Sequence, residues 1–298
     1  MNQWRGTVGA ISGGVLWGIS GVMGQFLFSG YEINPEWLTA VRMTLAGVIL
    51  TTYGLVAKRK EIKGILTSKQ DLISLLVFSI FGLLFCQLTF LKAIFYSNAA
   101  TATILQYLGP VMIMGATCVM HRRFPAKTEW ICGCLAVAGT YLLATGGKAD
   151  SMSLTVAGLL WGILSAGGMA LYSMLPRGLM KRWGSMPVSG LGMLIGGLVM
   201  CLYCRIWQQP VSLDFYGWIV LTGVCFLGTV LAYSVYLYGI KEVGAVKAGL
   251  LCCSEPLSSA LLMAIWLGVP MNMAEWIGFL MILATVFLSA EMKESIPK

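Results

Sequence analysis

The chain reads as long apolar runs divided by short polar intervals. A run near or above the roughly 20 residues that cross a bilayer occurs at 7–28, 35–57, 72–92, 98–120, 126–146, 152–175, 187–206, 214–238, 246–268 and 274–290. The runs are continuous, whereas a membrane barrel shows ten-residue segments of alternating polarity. Only a helix satisfies its own backbone polar groups in hydrocarbon. The pattern therefore predicts an all-α integral membrane protein with ten transmembrane helices. Its tightest expected link lies near 93–97, and its longest polar interval, roughly 58–71, is too short for a soluble domain. Met1-Asn2-Gln3-Trp4-Arg5 leads into the first run with no Ala-x-Ala cleavage site, so that run is expected to be a membrane helix and not a removed signal peptide.

Composition agrees: 58% of the 298 residues are hydrophobic and 11% charged, where a soluble domain carries roughly 25% charge. So few charges cannot coat a soluble surface of this size. Their placement sets an orientation. With both termini on one side, that side receives Arg5; Lys58, Arg59, Lys60, Lys63 and Lys69; Arg122, Arg123 and Lys127; Arg177, Lys181 and Arg182; Lys241 and Lys247; Lys293 and Lys298. The other side receives only Lys92, Lys148 and Arg205, while Arg42 lies inside a span. The positive-inside rule then puts both termini in the cytoplasm. A formal charge of +8 is explained by these loops, and no nucleic-acid partner is expected. All nine cysteines fall within expected spans, where Cys serves as a small apolar residue. His121, the one histidine, lies at a helix end, so neither a metal site nor a cofactor is expected.

The sequence repeats itself. Leu16-Trp17-Gly18-Ile19 recurs as Leu160-Trp161-Gly162-Ile163. At an offset of 146, Gly82 matches Gly228, Pro110 matches Pro256, and Glu129-Trp130-Ile131 matches Glu275-Trp276-Ile277. The unit is five helices, residues 1–147 and 148–298. An odd unit ends on the side opposite its start, so its copy inserts upside down. Two inverted five-helix repeats around a central cavity are a recurrent carrier architecture. Small-residue pairs one turn apart, Gly9/Gly13, Gly14/Gly18, Gly158/Gly162 and Gly192/Gly196, suit close helix packing.

Glu255 leads the candidate site residues. A charge in a span is costly unless it faces protein or water, and Pro256 beside it removes a backbone donor and disrupts the local helix. The first repeat has Gly109-Pro110 there, so the proline is shared and the acid is not. Glu255 could attract a cationic group, carry a proton or hold a positive side chain. Arg42 could bind a carboxylate or phosphate, neutralise Glu255, or snorkel to an interface. Trp17 and Trp161, at matching positions, could wall a cavity or stack on a cation. Gln87, Tyr107 and Tyr233 add hydrogen-bonding groups; Gln106 points away from Tyr107 on one helix. Pro110 and Pro256 are the expected helix breaks or gates. Trp4, Trp37, Trp130, Trp218 and Trp276 read as interfacial anchors.

The chain resembles the drug/metabolite transporter superfamily in its EamA-like ten-helix branch. The resemblance rests on Gly14-Val15-Leu16-Trp17-Gly18, Arg42, the Pro110 region, Gly158-Leu159-Leu160-Trp161-Gly162, Ser254-Glu255-Pro256 and Glu275-Trp276-Ile277-Gly278. It implies alternating access in a bacterial cytoplasmic membrane and transport of small metabolites such as amino acids, amines, nucleobases, sugars or drugs. Members often carry a Gly-Glu pair near the end of the fourth helix. This chain has His121-Arg122-Arg123 there, so no role for that acid carries over. The expectation is a secondary transporter for a small amine-bearing or amphipathic metabolite, with proton coupling through Glu255 as an option. Its partners are substrate and lipid, as a monomer or homodimer. The rivals are a channel, a membrane sensor and a membrane-embedded enzyme; the absence of HExxH, a histidine cluster or paired acids disfavours the last.

Overall fold

A computed structural model of the chain describes residues 3–120, 122, 124, 126–148, 154–243, 248, 251–252, 254–269 and 271–294. Met1, Asn2, His121, Arg123, Lys247 and Lys298, named above, and Cys253, one of the nine cysteines, lie outside the described residues. The helices are α1 Gln3–Tyr31, α2 Pro35–Ala57, α3 Arg59–Thr67, α4 Lys69–Val77, α5 Phe85–Tyr96, α6 Ala99–Gln106, α7 Gly109–Met120 and α8 Lys127–Thr145. They continue as α9 Val156–Met174, α10 Arg177–Trp183, α11 Ser185–Cys204, α12 Phe215–Cys225, α13 Ala232–Val243, α14 Ser254–Trp266 and α15 Met273–Glu294. Two π-helical segments, Phe78–Leu84 and Phe226–Leu231, join α4 to α5 and α12 to α13 into continuous rods.

Six helices among the described residues are long and apolar enough to cross a membrane, not ten: Gln3–Tyr31, Pro35–Ala57, Lys69–Tyr96, Val156–Met174, Ser185–Cys204 and Phe215–Tyr236. The other four expected runs are not among these six. Run 98–120 is broken at Tyr107–Leu108 into α6 and α7. Over run 126–146 the described helix is α8, Lys127–Thr145. Run 246–268 includes residues outside those described and carries α14, and run 274–290 lies within α15. The link expected at 93–97 lies later, because α5 runs to Tyr96 and Asn98 then caps α6, its side chain accepting from the Thr101 N–H at 2.8 Å. Trp37 is buried, whereas Trp4, Trp130 and Trp218 are exposed as helix-end anchors are.

Helices at equal places in the two repeats pack on each other. α2 crosses α11 in antiparallel register, with Thr44 against Gly197, Gly47 against Leu194 and Leu50 against Gly190. α8 and α15 also run antiparallel: Gly139 lies against Gly278, and the Cys132 thiol points at the Thr285 carbonyl. The remaining contacts exchange partners, α1 packing along α13 and α14 and α9 along α5, α6 and α7. The paired small residues serve these approaches. Gly9 and Gly13 meet α13, Gly158 meets Tyr96 and Ser97, and Gly196 meets Met43 and Ser79.

The α2–α11 crossing is the tightest of these. A Cβ at Gly47 would stand 2.5 Å from Leu194 Cα and 2.8 Å from Met193 C, both backbone atoms that cannot swing aside. Gly47→Ala is expected to destabilise the protein by about 1–3 kcal/mol, read as earlier melting in detergent. Gly115→Ala, with nothing within 4 Å of the added carbon, should be neutral or slightly stabilising. Equal melting of the two variants would contradict the packing described.

Candidate functional site

A helix break brings the expected residues together. Glu255 N–H donates to the Cys252 carbonyl at 2.9 Å, and α14 opens at Ser254 with Pro256 in its first turn. Proline suits that place, since no intrahelical partner waits for its missing N–H. Pro256 thus stands in the first turn of α14, just after the turn at Cys252. Pro110 likewise stands second in α7, directly after the Tyr107–Leu108 turn. Gly14 and Gly18 let α1 press on this segment: a Cβ at Gly18 would lie 2.6 Å from the Glu255 carbonyl oxygen, and one at Gly14 3.0 Å from that of Cys252.

Glu255 is 8% exposed and Arg42, on α2, 4%. They lie within electrostatic range of each other, and no direct ion pair joins them. Arg42 Nε is buried with no hydrogen-bond partner among the described residues. The Tyr107 phenol donates to the Cys252 carbonyl at 2.7 Å and reaches Glu255 Oε2 at 3.5 Å. Gln106 turns the other way, donating to Ser165 Oγ on α9 at 2.8 Å. Gln87 and Tyr233, separated by the repeat offset of 146, meet across the halves with Gln87 Nε2 3.5 Å from the Tyr233 oxygen. Trp17 packs edge-on against Tyr233 at 5.1 Å between ring centroids and against Tyr236 at 4.9 Å. The π segments end at Leu84 and Leu231, less than a turn before Gln87 and Tyr233, and shift the register in which these side chains emerge.

Trp161 does not join this group. Its ring carries Lys92 Nζ at 4.6 Å from the centroid, and Lys92 is ion-paired with Glu36 at 2.7 Å. The cation on this indole is therefore the protein's own. The sequence does not single out Tyr236, Cys252 or Glu36 as site residues, and it marks Lys92 only as a helix-end cation on the less basic side. Tyr236 stands one turn after Tyr233, a signal that was available; the others depend on which helices meet.

Two polar latches join the halves at opposite ends of the rods. At one, Arg182 Nη1 donates to both Asp71 oxygens at 2.8 and 3.0 Å, and Trp183 Nε1 donates to Asp71 at 3.0 Å. At the other, the Tyr31 phenol donates to Asp214 at 2.5 Å, while Asp214 caps α12 by accepting from the Gly217 N–H at 2.7 Å. These two donors, the phenol foremost, hold the Asp214 carboxyl below its ordinary 3.8. A carboxyl depressed in the folded state contributes stability above its unfolded value, lost as pH falls through the folded one. The melting difference between the wild type and Tyr31→Phe should therefore stay constant between about pH 5 and 8 and shrink only in stronger acid. A difference that vanished on lowering the pH from 7 to 5 would contradict this account of the latch.

The EamA-like transporter family model matches the chain twice, over residues 4–145 and 156–290. An uncharacterized inner membrane transporter of Salmonella typhimurium, YicL, is 37% identical over 286 residues, covering 95% of this chain and 94% of that one. The uncharacterized transporter YwfM of Bacillus subtilis is 26% identical over 212 residues, 67% of this chain and 68% of its own. A second B. subtilis relative, the uncharacterized transporter YyaM, is 23% identical over 93% of this chain and 94% of its own. A solved crystal structure superposes with a TM-score of 0.65 at 19% identity, over 97% of this chain and 99% of that one, and so shares the fold.

Proposed function

From the premise that the chain belongs to the EamA-like transporter family, a multi-pass membrane protein family and not an enzyme, we propose that it is an alternating-access carrier for a small zwitterionic or amine-bearing metabolite. The observation that carries this reading is the buried Arg42–Glu255 centre. It lies where helices of both halves meet, and Arg42 Nε has no hydrogen-bond partner among the described residues. A buried donor without a partner costs roughly 1–3 kcal/mol, which a substrate carboxylate would offset. An ammonium group would sit toward Glu255 and Tyr107, and the substrate's body against Trp17 and Tyr233. Gln87 would complete the polar wall, and Pro110 and Pro256 would let the broken helices hinge. Proton and ammonium could take Glu255 in turn, which would couple transport to protons.

In this reading the ten runs are ten spans, with α6–α7 and the segment ending in α14 as broken ones, and residues 1–147 and 148–298 are inverted repeats around a central cavity. The antiparallel α2–α11 and α8–α15 pairings support the inversion, and the basic loops support cytoplasmic termini in a bacterial inner membrane. The buried charges then belong to a closed conformation, shut at each end by one latch. Asp71→Asn should raise access to the centre several-fold from the Lys- and Arg-rich end, and Asp214→Asn from the other, read by labelling a cysteine placed at Gln87. Access raised from the same end by both would contradict the gating.

The transport reading is tested by counterflow. Purified protein in liposomes is screened with radiolabelled amino acids, quaternary amines, nucleosides and organic anions. Saturable uptake that requires preloading with the same compound is the expected result. Ion currents without counterflow would favour a channel.

A further inference from the structure

Eight of the twenty Lys and Arg lie on or beside two short helices, α3 and α10. α3 buries Ile62 and Ile65 and turns Arg59, Lys60 and Lys63 outward; α10 buries Leu179 and exposes Lys181 and Arg182. The Trp183 ring of α10 sits in the space that a side chain at Gly64 of α3 would need, which locks the two helices together. At nine and seven residues they are too short to cross a membrane. They lie between α2 and α4 and between α9 and α11, where long apolar helices end. Asp71 takes one edge of Arg182, whose side chain remains 59% exposed, and Glu61 pairs with Lys58. Lys60, Lys63 and Lys181 form no ion pair among the described residues.

Membrane orientation explains the sign of these charges. It does not require that they be gathered on two interlocked helices whose apolar undersides are seated on the bundle. We propose that the α3–α10 face is a docking surface for anionic phospholipid headgroups. A phosphodiester is the abundant anion at the level where apolar helices meet water, and clustered Lys and Arg on an amphipathic helix are the chemistry that holds it. The inference stands independently of any transported substrate.

The test places the full-length protein in nanodiscs of equal phosphatidylcholine and phosphatidylglycerol and measures the lipids retained after detergent exchange by mass spectrometry. The wild type should retain phosphatidylglycerol about tenfold over phosphatidylcholine. Lys60→Gln, Lys63→Gln and Lys181→Gln together should remove most of that preference, while Lys148→Gln with Arg205→Gln should leave it. On the wild type, 0.5 M sodium chloride should weaken the preference through screening, a readout that does not depend on how the variant folds. Inorganic phosphate at millimolar concentration should not displace the lipid. Equal retention of both lipids, a salt-insensitive preference, or a preference unchanged in the triple variant would overturn the proposal. Full displacement by phosphate would overturn it in favour of a soluble phosphate ligand.

Discussion

Glu255→Gln is expected to lower kcat/KM for counterflow at least about 100-fold, equivalent to roughly 2.7 kcal/mol. Glutamine keeps the size of the side chain and can still accept from Tyr107, so the first turn of α14 has no steric reason to move. What it removes is the charge, the property that justifies an acid 8% exposed among membrane helices. Equal melting of the two proteins in detergent separates lost chemistry from lost folding. Activity within about threefold of the wild type would leave Glu255 no role beyond packing. If the residue also couples protons, the variant should lose any stimulation of uptake by an inward proton gradient while retaining what exchange remains.

Arg42→Met is expected to change which substrates are moved. If the guanidinium holds a carboxylate, the variant should lose roughly 30-fold or more in kcat/KM for zwitterions. Simple amines lacking that carboxylate should be affected far less. Arg42→Lys should recover only part of the loss, because an ammonium cannot reproduce the planar, two-pronged donor. Stability carries a second signature. Removing the cation leaves Glu255 uncompensated in a buried setting, so Arg42→Met should melt early. Adding Glu255→Gln should restore part of the difference, and additive effects would show that the two charges do not sense each other.

The central charges were legible from sequence because an ionisable group inside an apolar run stands out against its neighbours. The repeat was legible too, and it held information that pattern reading left unused. Gln87 and Tyr233 are separated by the repeat offset, and two such positions can meet where the halves join, as these do. Other features depend on packing. Nothing in the local sequence around Trp161 shows that Lys92, on another helix, will occupy its ring. A hydropathy run averages over a two-residue break, so Tyr107–Leu108 disappears inside 98–120. The π segments add a register shift that the runs cannot register, although Gly82 and Gly228 recur at matching places. The helices α3 and α10 bury only Ile62, Ile65 and Leu179, too few apolar positions to stand out within a polar interval.

The most direct test of the carrier account is two-sided access to its buried centre. A single cysteine replaces Gln87 in a chain whose native cysteines have been removed. It is exposed to a membrane-impermeant thiol reagent in right-side-out and in inside-out vesicles, with and without the substrate found by counterflow. The account predicts labelling from either side, with substrate at saturating concentration changing the two rates in opposite directions or suppressing both. Labelling from both sides at rates that substrate leaves unchanged, together with ion current through the same protein, would contradict alternating access and identify a continuous pore.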